Sequence, residues 1–425
     1  MSRGCCRMDK SLLRKVAIQS LALMIAVISF SYACSQYQPI TIQAVGKIND
    51  DISNHSTTAF ANTIVSAGSF PGLIHKVEVN AVQRLEAGES QVDIMKQGDK
   101  YLVIKKPRGT QLAIKLDDLY NKKSIQLTIS GMTVNEFSKD MISRVEGKEV
   151  FLGEPQYKEI TSTQVDKESK KSVELLTKDY GKDFCRGLTI KINQNLNSNQ
   201  YTAQVLIELD GVYAYKLYED ADNYYISVRK PSEVYDKILV IDAGHGGKDS
   251  GALSRNEEYY EKNINLQILQ DLKKLLNTEN IKVYYTRTGD DTVYLRPRVE
   301  LANEVDCDYF ISIHCNGNKL SSPNGTEVLY SNKKFKGVKS SDLAKLFSKE
   351  IDKTISLKNK GIVKRHQEDI YIMDKAKVPM ILIEVGYVTN YNDMNYLNQD
   401  KNRKAVAKGI YNGIMKAYQE LPVDK

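Results

Sequence analysis

The chain is short of the patterns that announce most metal and nucleotide sites. It has only five histidines in 425 residues. No CxxC pair, HExxH helix or EF-hand loop occurs, which removes the commonest ready-made ligand sets for zinc and calcium. No GxGxxG is present, and the Gly-rich stretch GHGGKDSG lacks the Lys-Ser/Thr ending of a P-loop. Six cysteines do not make a disulfide framework, because Cys5, Cys6 and Cys34 fall in or at the end of an N-terminal leader. That leaves Cys185, Cys307 and Cys315. No basic-aromatic motif points to nucleic acid.

The leader itself is informative. Arg3, Arg7, Lys10, Arg14 and Lys15 precede an uncharged, mostly apolar stretch from Val16 to Phe30, and Ser31-Tyr32-Ala33 ends in the small-x-small pattern that a signal peptidase cuts. The apolar run is shorter than a comfortable span of roughly 20 residues, so residues 1–34 read as a signal peptide, with an uncleaved membrane anchor as the alternative. Cys34 after Ala33 also fits a lipobox, although Ser31 stands where that motif prefers Leu. The expected location is therefore outside the cell, in the wall or medium, with membrane attachment only through an uncleaved leader or a lipidated Cys34. The formal charge of +7 falls to +3 once the leader's five bases and one acid, Asp9, are removed. A mildly basic exported protein suits an anionic envelope better than nucleic acid.

Residues 35–72 are polar and without periodicity, as a linker would be. Residues 73–232 alternate short β-like runs with turns: KVEVNAV, QVDIMK, YLVIKK, QLTISG, LTIKIN, TAQVLIEL, VYAYKLY and YYISVRK. This predicts a β-rich, sandwich-like region, with hairpin turns at Asp210-Gly211 and Asp222-Asn223. His75 is its only histidine and carries no constellation. From 235 to 425 strand-like runs alternate with helical spacing, as at Ile264, Ile268, Leu272 and Leu275. That pattern predicts an α/β domain with a mainly parallel sheet flanked by helices.

Three apolar runs in this last region end in groups able to hold or assist a metal. KILVID runs into Ala243, Gly244 and His245; YFISI ends on His314; MILI ends on Glu384. In open α/β sheets chemistry gathers beyond the carboxyl ends of such strands. Glu261, at the entry of the first helix, can turn its carboxylate toward the same end. Each residue has a plainer reading: His314 as a core histidine, Glu261 as a solvated carboxylate at a helix start, the His245 loop as a phosphate cradle. Glu384 is harder to dismiss, because burying a carboxylate unpaired is costly. Together they predict a zinc site with three protein ligands and an open fourth position. Cys315 follows His314 but points to the opposite strand face, so packing is its expected role.

Five motifs, in order, then carry a resemblance: IDAGHGGKDSGA, EKNINL, TRTGDD with LRPRVELAN, FISIHCN and PMILIEVGYVTN. The chain from about Ile238 to Tyr418 resembles the catalytic domain of the zinc-dependent N-acetylmuramoyl-L-alanine amidases of bacterial cell walls, the type-3 amidases. The resemblance implies a twisted, mainly parallel six-stranded sheet, zinc on His245, Glu261 and His314, and Glu384 as the catalytic carboxylate. It implies peptidoglycan as substrate, cleaved at the bond between N-acetylmuramic acid and L-alanine; a monomer is expected. Departures are Ala243, Cys315 and Lys360, where the family usually has Pro, Ala and Arg. The β-rich region loosely resembles wall-targeting modules, with a spacer as the alternative. Rival activities are another zinc wall hydrolase (a peptidase or deacetylase) and a non-catalytic wall-binding protein. Some members of the family carry a helix that plugs the zinc site. The stretch SNKKFKGVKSS after Tyr330 is too polar and too short for one, so activity without an activator is expected of the catalytic domain.

Overall fold

The computed structural model describes residues 83–84, 100–107, 112–132, 137–165, 172–195, 200–366, 369–421 and 423–424. The leader, the linker, His75 and the runs KVEVNAV and QVDIMK lie outside these residues. Among the described residues no helix is long and apolar enough to cross a membrane.

The first region is built of strands β1 (Gln83–Arg84), β2 (Lys100–Lys105), β3 (Ala113–Leu119), β4 (Ser124–Met132), β5 (Ile142–Glu146), β6 (Glu149–Leu152), β7 (Lys158–Val165), β8 (Ser172–Asp179), β9 (Cys185–Asn195), β10 (Gln200–Leu209), β11 (Ala214–Glu219) and β12 (Asn223–Arg229). They form sheets in the orders β1-β11-β12-β2-β5-β6 and β3-β4-β10-β9, with β7 and β8 paired as a separate ribbon. Alternation decides the packing. Val205, Ile207 and Leu209 on β10 are buried with Leu116 and Ile125 of their own sheet and with Leu102, Ile104 and Ile226 of the other. Two sheets thus close on one apolar core.

One expected hairpin is absent. The chain does not fold back at Asp210-Gly211, because β10 and β11 belong to different sheets. The Asp-Gly pair instead marks the crossing between them, where Asp210 accepts the Tyr213 hydroxyl at 2.5 Å. The other turn exists between β11 and β12, and Asp220 builds it by accepting the Asp222 and Asn223 amides at 2.9 and 2.7 Å.

The second region contains β13 (Ile238–Ala243), α1 (Glu261–Leu276), β14 (Lys282–Tyr285), α2 (Leu295–Glu304), β15 (Tyr309–Asn316), β16 (Thr326–Tyr330), β17 (Lys334–Phe335), β18 (Val338–Lys339), α3 (Ser340–Asp352), β19 (Asn359–Lys364), α4 (Tyr371–Lys375), β20 (Met380–Tyr387), α5 (Tyr391–Leu397) and α6 (Asp400–Glu420). Its main sheet runs β14-β13-β15-β20-β16-β19. Neighbours are parallel except β20 and β16, which are antiparallel, so the α/β sheet is mixed.

Strand β13 shows why helices cover both faces. Leu239 and Ile241 pack with Ile264 of α1, Phe347 of α3 and Ile410 of α6. The alternate residues Ile238 and Val240 pack with Val299 of α2 and Ile372 of α4. A strand buried on both sides reads as one continuous apolar run, which is how KILVID appears in the sequence.

The two regions also touch. Tyr120 and Val212 of the β-rich region share a core with Val240 and Tyr284. The Tyr120 hydroxyl donates to the Tyr285 carbonyl at 3.1 Å and accepts the Tyr285 amide at 2.9 Å, satisfying the free edge of β14.

Candidate metal centre

The parallel register carries β13, β15 and β20 to a common end. Beyond it, His245 follows β13, His314 lies near the end of β15 and Glu384 pairs with His314 in register across β15 and β20. Glu261 is the first residue of α1 and is buried. One ligand atom each from His245, Glu261 and His314 lies within 4.8 Å of the others.

A single oxygen holds the group together. Glu261 Oε1 is 2.9 Å from His314 Nδ1 and 3.2 Å from His245 Nε2. It also accepts the Cys315 amide at 3.0 Å, while Oε2 accepts the Ala252 amide at 2.9 Å. The Cys315 side chain packs into the core, and its backbone steadies the carboxylate. The imidazoles lie edge to face with centroids 4.9 Å apart. His245 Nδ1 meets Asp249 Oδ2 at 2.8 Å. An N–H donated there would leave Nε2 as the nitrogen available to a metal, the arrangement a metal-binding imidazole uses.

The loop that delivers His245 needs its glycines. A Cβ on Gly244 would sit 2.2 Å from the His314 ring, and one on Gly251 would sit 2.6 Å from Glu261 Oε2. His245 itself has φ of 62°, a strained value for a residue with a side chain. Two buried arginines hold it there. Arg298 Nη2 donates to the His245 carbonyl at 2.6 Å and Nη1 to the Ala243 carbonyl at 2.7 Å; Arg287 Nη2 donates to the Gly244 carbonyl at 2.9 Å. Asp242, fully buried, accepts Arg298, Thr286 and Ser312 at 2.5, 2.5 and 2.7 Å. Burial alone would raise its pKa, but Arg298 and the other donors bring it down to about 2.

The electrostatics favour a cation between the three ligands. Burial works against charge on His245, yet hydrogen bonds and charge from Glu261 and Asp249 push its pKa up to about 9. Burial likewise opposes ionisation of Glu261, and its two histidine partners outweigh that and hold it well below the usual carboxylate range. Glu384 goes the other way. Burial raises it to about 7; nearby His314 opposes the rise, and the carboxylates of Glu261 and Glu327 add to it. Its Oε2 is buried without a hydrogen-bond partner among the described residues. Two nitrogens, one oxygen and a neighbouring orphaned carboxylate suit a divalent metal with an open position.

Beyond Glu384 lies a second carboxylate. Glu327 of β16 sits opposite Glu384 in register and is buried. It accepts the Tyr387 hydroxyl at 2.9 Å and pairs with Lys360, whose ammonium also reaches Tyr387 at 3.1 Å. Lys360 therefore neutralises the carboxylate beside Glu384. A cavity of about 240 Å³ opens at the site, lined by His245 and His314 on the metal side and by Lys248, Tyr294, Leu295 and Ile372. The sequence reading brought forward all four residues that meet here. It missed Asp242, Asp249, Arg287, Arg298 and Glu327, and only Asp242 had a signal, as an acid ending an apolar run.

Residues 239–416 match the amidase-3 family, described as N-acetylmuramoyl-L-alanine amidase. YqiI of Bacillus subtilis (strain 168), a protein described as uncharacterized, is 31% identical over 184 residues, which are 43% of this chain and 86% of that one. The N-acetylmuramoyl-L-alanine amidase CwlM of Bacillus licheniformis is 30% identical over 182 residues, 42% of this chain and 68% of that one. LytC of Bacillus subtilis (strain 168), an amidase of the same description, is 30% identical over 186 residues, and the match spans only 36% of its length. Through residues 239–416 the chain belongs to the N-acetylmuramoyl-L-alanine amidase family.

Proposed function

We propose that the protein is an exported zinc hydrolase of the cell wall. It cleaves the amide between the lactyl group of N-acetylmuramic acid and the first L-alanine of the stem peptide. The observation that carries this reading is the convergence of His245, Glu261 and His314 beside an unpartnered Glu384, in a region that belongs to an amidase family. His245, Glu261 and His314 would hold the metal. Zinc, when bound, supplies Lewis acidity to the scissile carbonyl and to the attacking water.

Glu384 does the proton work. It accepts a proton as water adds to the carbonyl carbon and delivers it to the alanine nitrogen as the C–N bond breaks. The products are a lactyl carboxylate and a free alanine amino terminus. A carboxyl group with its pKa near 7 can do both halves at neutral pH. Lys360 keeps the adjacent Glu327 from adding a full second negative charge beside it. Arg298 and Arg287 hold the strained His245 loop in register.

In this reading the substrate is peptidoglycan and the enzyme is monomeric, located outside the cell. The domain limits are 1–34 for the leader, 35–72 for the linker, 73–232 for a β-rich wall-targeting region and 235–425 for catalysis. No activator is needed. The stretch from Ser331 to Lys339 carries only the short hairpin β17–β18, and Ser340 already opens α3.

The test is digestion of purified peptidoglycan by the full chain. Zinc-dependent appearance of alanine amino termini, lost with a chelator and restored by zinc, is the expected result. Acetate release without new alanine termini would make the protein a deacetylase instead.

A further inference from the structure

Tyr294 is out of place for a helix start. It is the N-cap of α2, a position that favours Ser, Thr, Asp or Asn because their side chains accept the helix's free amides. Tyr294 makes no such bond, and the residue is 74% exposed. Leu295, the first residue of the helix, is 52% exposed, and Tyr371, at the start of the neighbouring helix α4, is 39% exposed. An isolated surface apolar residue needs no explanation, but Tyr294 and Leu295 are not isolated. Tyr294 and Leu295 line the same cavity as His245 and His314, and so does Ile372, next to Tyr371. Lys248 lines it too, with its backbone amide tied to the Thr292 hydroxyl at 3.0 Å. No described residue partners its ammonium.

The wall is therefore amphipathic: aromatic and aliphatic faces beside a free ammonium donor. A pyranose ring has matching chemistry, with an apolar C–H face to lie on an aromatic ring and a rim of hydroxyl and acetamido oxygens to accept hydrogen bonds. A peptide strand would call instead for an exposed backbone edge or for pockets spaced along it. We infer that Tyr294, with Leu295, is the platform that takes the sugar ring of the substrate, with Lys248 meeting its polar rim. This rests on the amidase reading and deepens it. It orients the scissile amide so that the glycan leaves the metal over α2 and the stem peptide leaves by another side. Tyr294 would touch substrate yet take no part in the proton transfers.

The test uses the full-length protein loaded with zinc, with the variants Tyr294→Ala and Tyr294→Phe. Its ligand is the peptide-free disaccharide of N-acetylglucosamine and N-acetylmuramic acid, which has no amide at the lactyl group to be cleaved. Binding is read by NMR titration, so it does not depend on turnover. Zinc stoichiometry should equal that of the wild type in both variants. Tyr294→Ala should weaken disaccharide binding about tenfold, and Tyr294→Phe should hold it near wild type, because the ring face rather than the hydroxyl makes the contact. The same split should appear as a raised KM with kcat kept on peptidoglycan, and should vanish on a lactyl-peptide lacking the sugar. Unchanged disaccharide binding in Tyr294→Ala overturns the platform, as does an equal loss in Tyr294→Phe or on the sugar-free substrate. If the wild type frees no alanine termini, the amidase reading falls by that separate measurement, and the disaccharide titration still decides the platform.

Discussion

Both regions of the molecule bury charge, but they close it differently. In the β-rich region Arg144 and Asp183 are almost wholly buried and meet as a bidentate pair, with Nε to Oδ1 at 3.2 Å and Nη2 to Oδ2 at 2.7 Å. Arg144 also donates to the Gly153 carbonyl, and Asp183 accepts the Cys185 amide at 3.0 Å. Nothing is left over. In the α/β region Asp242 and Arg298 are equally closed, but the chain continues from them to groups that are not. Glu261 shares one oxygen among several donors, and Glu384 has an oxygen with no donor. A satisfied buried ion pair holds a fold, whereas an unsatisfied one beside a cavity is available for chemistry.

The sharpest way to break this comparison is to remove a ligand. His314→Ala should lose stoichiometric zinc and all measurable activity together, while circular dichroism still reports both sheets. Zinc retained at one equivalent by a His245→Ala/His314→Ala double variant would mean that the metal sits elsewhere. Glu384→Gln comes next. The amide has nearly the same shape but cannot take a proton, so zinc should remain while turnover falls by about 10² to 10⁴. Near-normal turnover of the zinc-loaded variant would move the base to another residue.

The closed pair in the β-rich region should respond in the opposite currency. Arg144→Ala strands the buried Asp183 carboxylate, so it should destabilise the fold by roughly 3–5 kcal/mol in urea melts. Metal content and kcat per folded molecule should not change. A loss of kcat in the folded fraction would show that the regions are coupled through more than their shared stability.

The same contrast explains what could be read from the sequence. KILVID, YFISIH and MILIE were legible because a strand buried on both faces is an uninterrupted apolar run, and a polar residue ending it stands out. Glu261 was legible from its place at a helix entry. Arg287 and Arg298 were not, since arginines in polar surroundings look solvated until the loop carbonyls they hold are in view. Asp210-Gly211 was misread because the same dipeptide serves a hairpin and a crossing between sheets. The docking of Tyr120 on β14 leaves no period in the sequence, as contacts between regions seldom do.

Asp118 tests the rule where it is weakest. Like Glu384 it is a buried carboxylate with an oxygen lacking a hydrogen-bond partner among the described residues. Burial raises its pKa to about 7, against the opposing charge of Lys282 and a hydrogen bond from the Tyr120 backbone. By pKa alone it would rank with Glu384. Its place argues otherwise. It lies on β3 and feels Lys282 of β14 across the junction of the two regions, whereas Glu384 lies on β20 directly opposite His314. A carboxyl with a folded pKa above its unfolded value is best tolerated when protonated. Its contribution should therefore be present below about pH 4 and lost as pH rises toward about 7. Asp118→Asn should remove that slope. At fixed zinc, the variant should gain on the order of 2 kcal/mol over the wild type at pH 8 relative to pH 4, with kcat unchanged. The measured gain should fall short of the full shift, because burial at a junction between regions leaves room to relax. A pH-independent difference, or a fall in kcat, would mean that Asp118 is tied to the site after all.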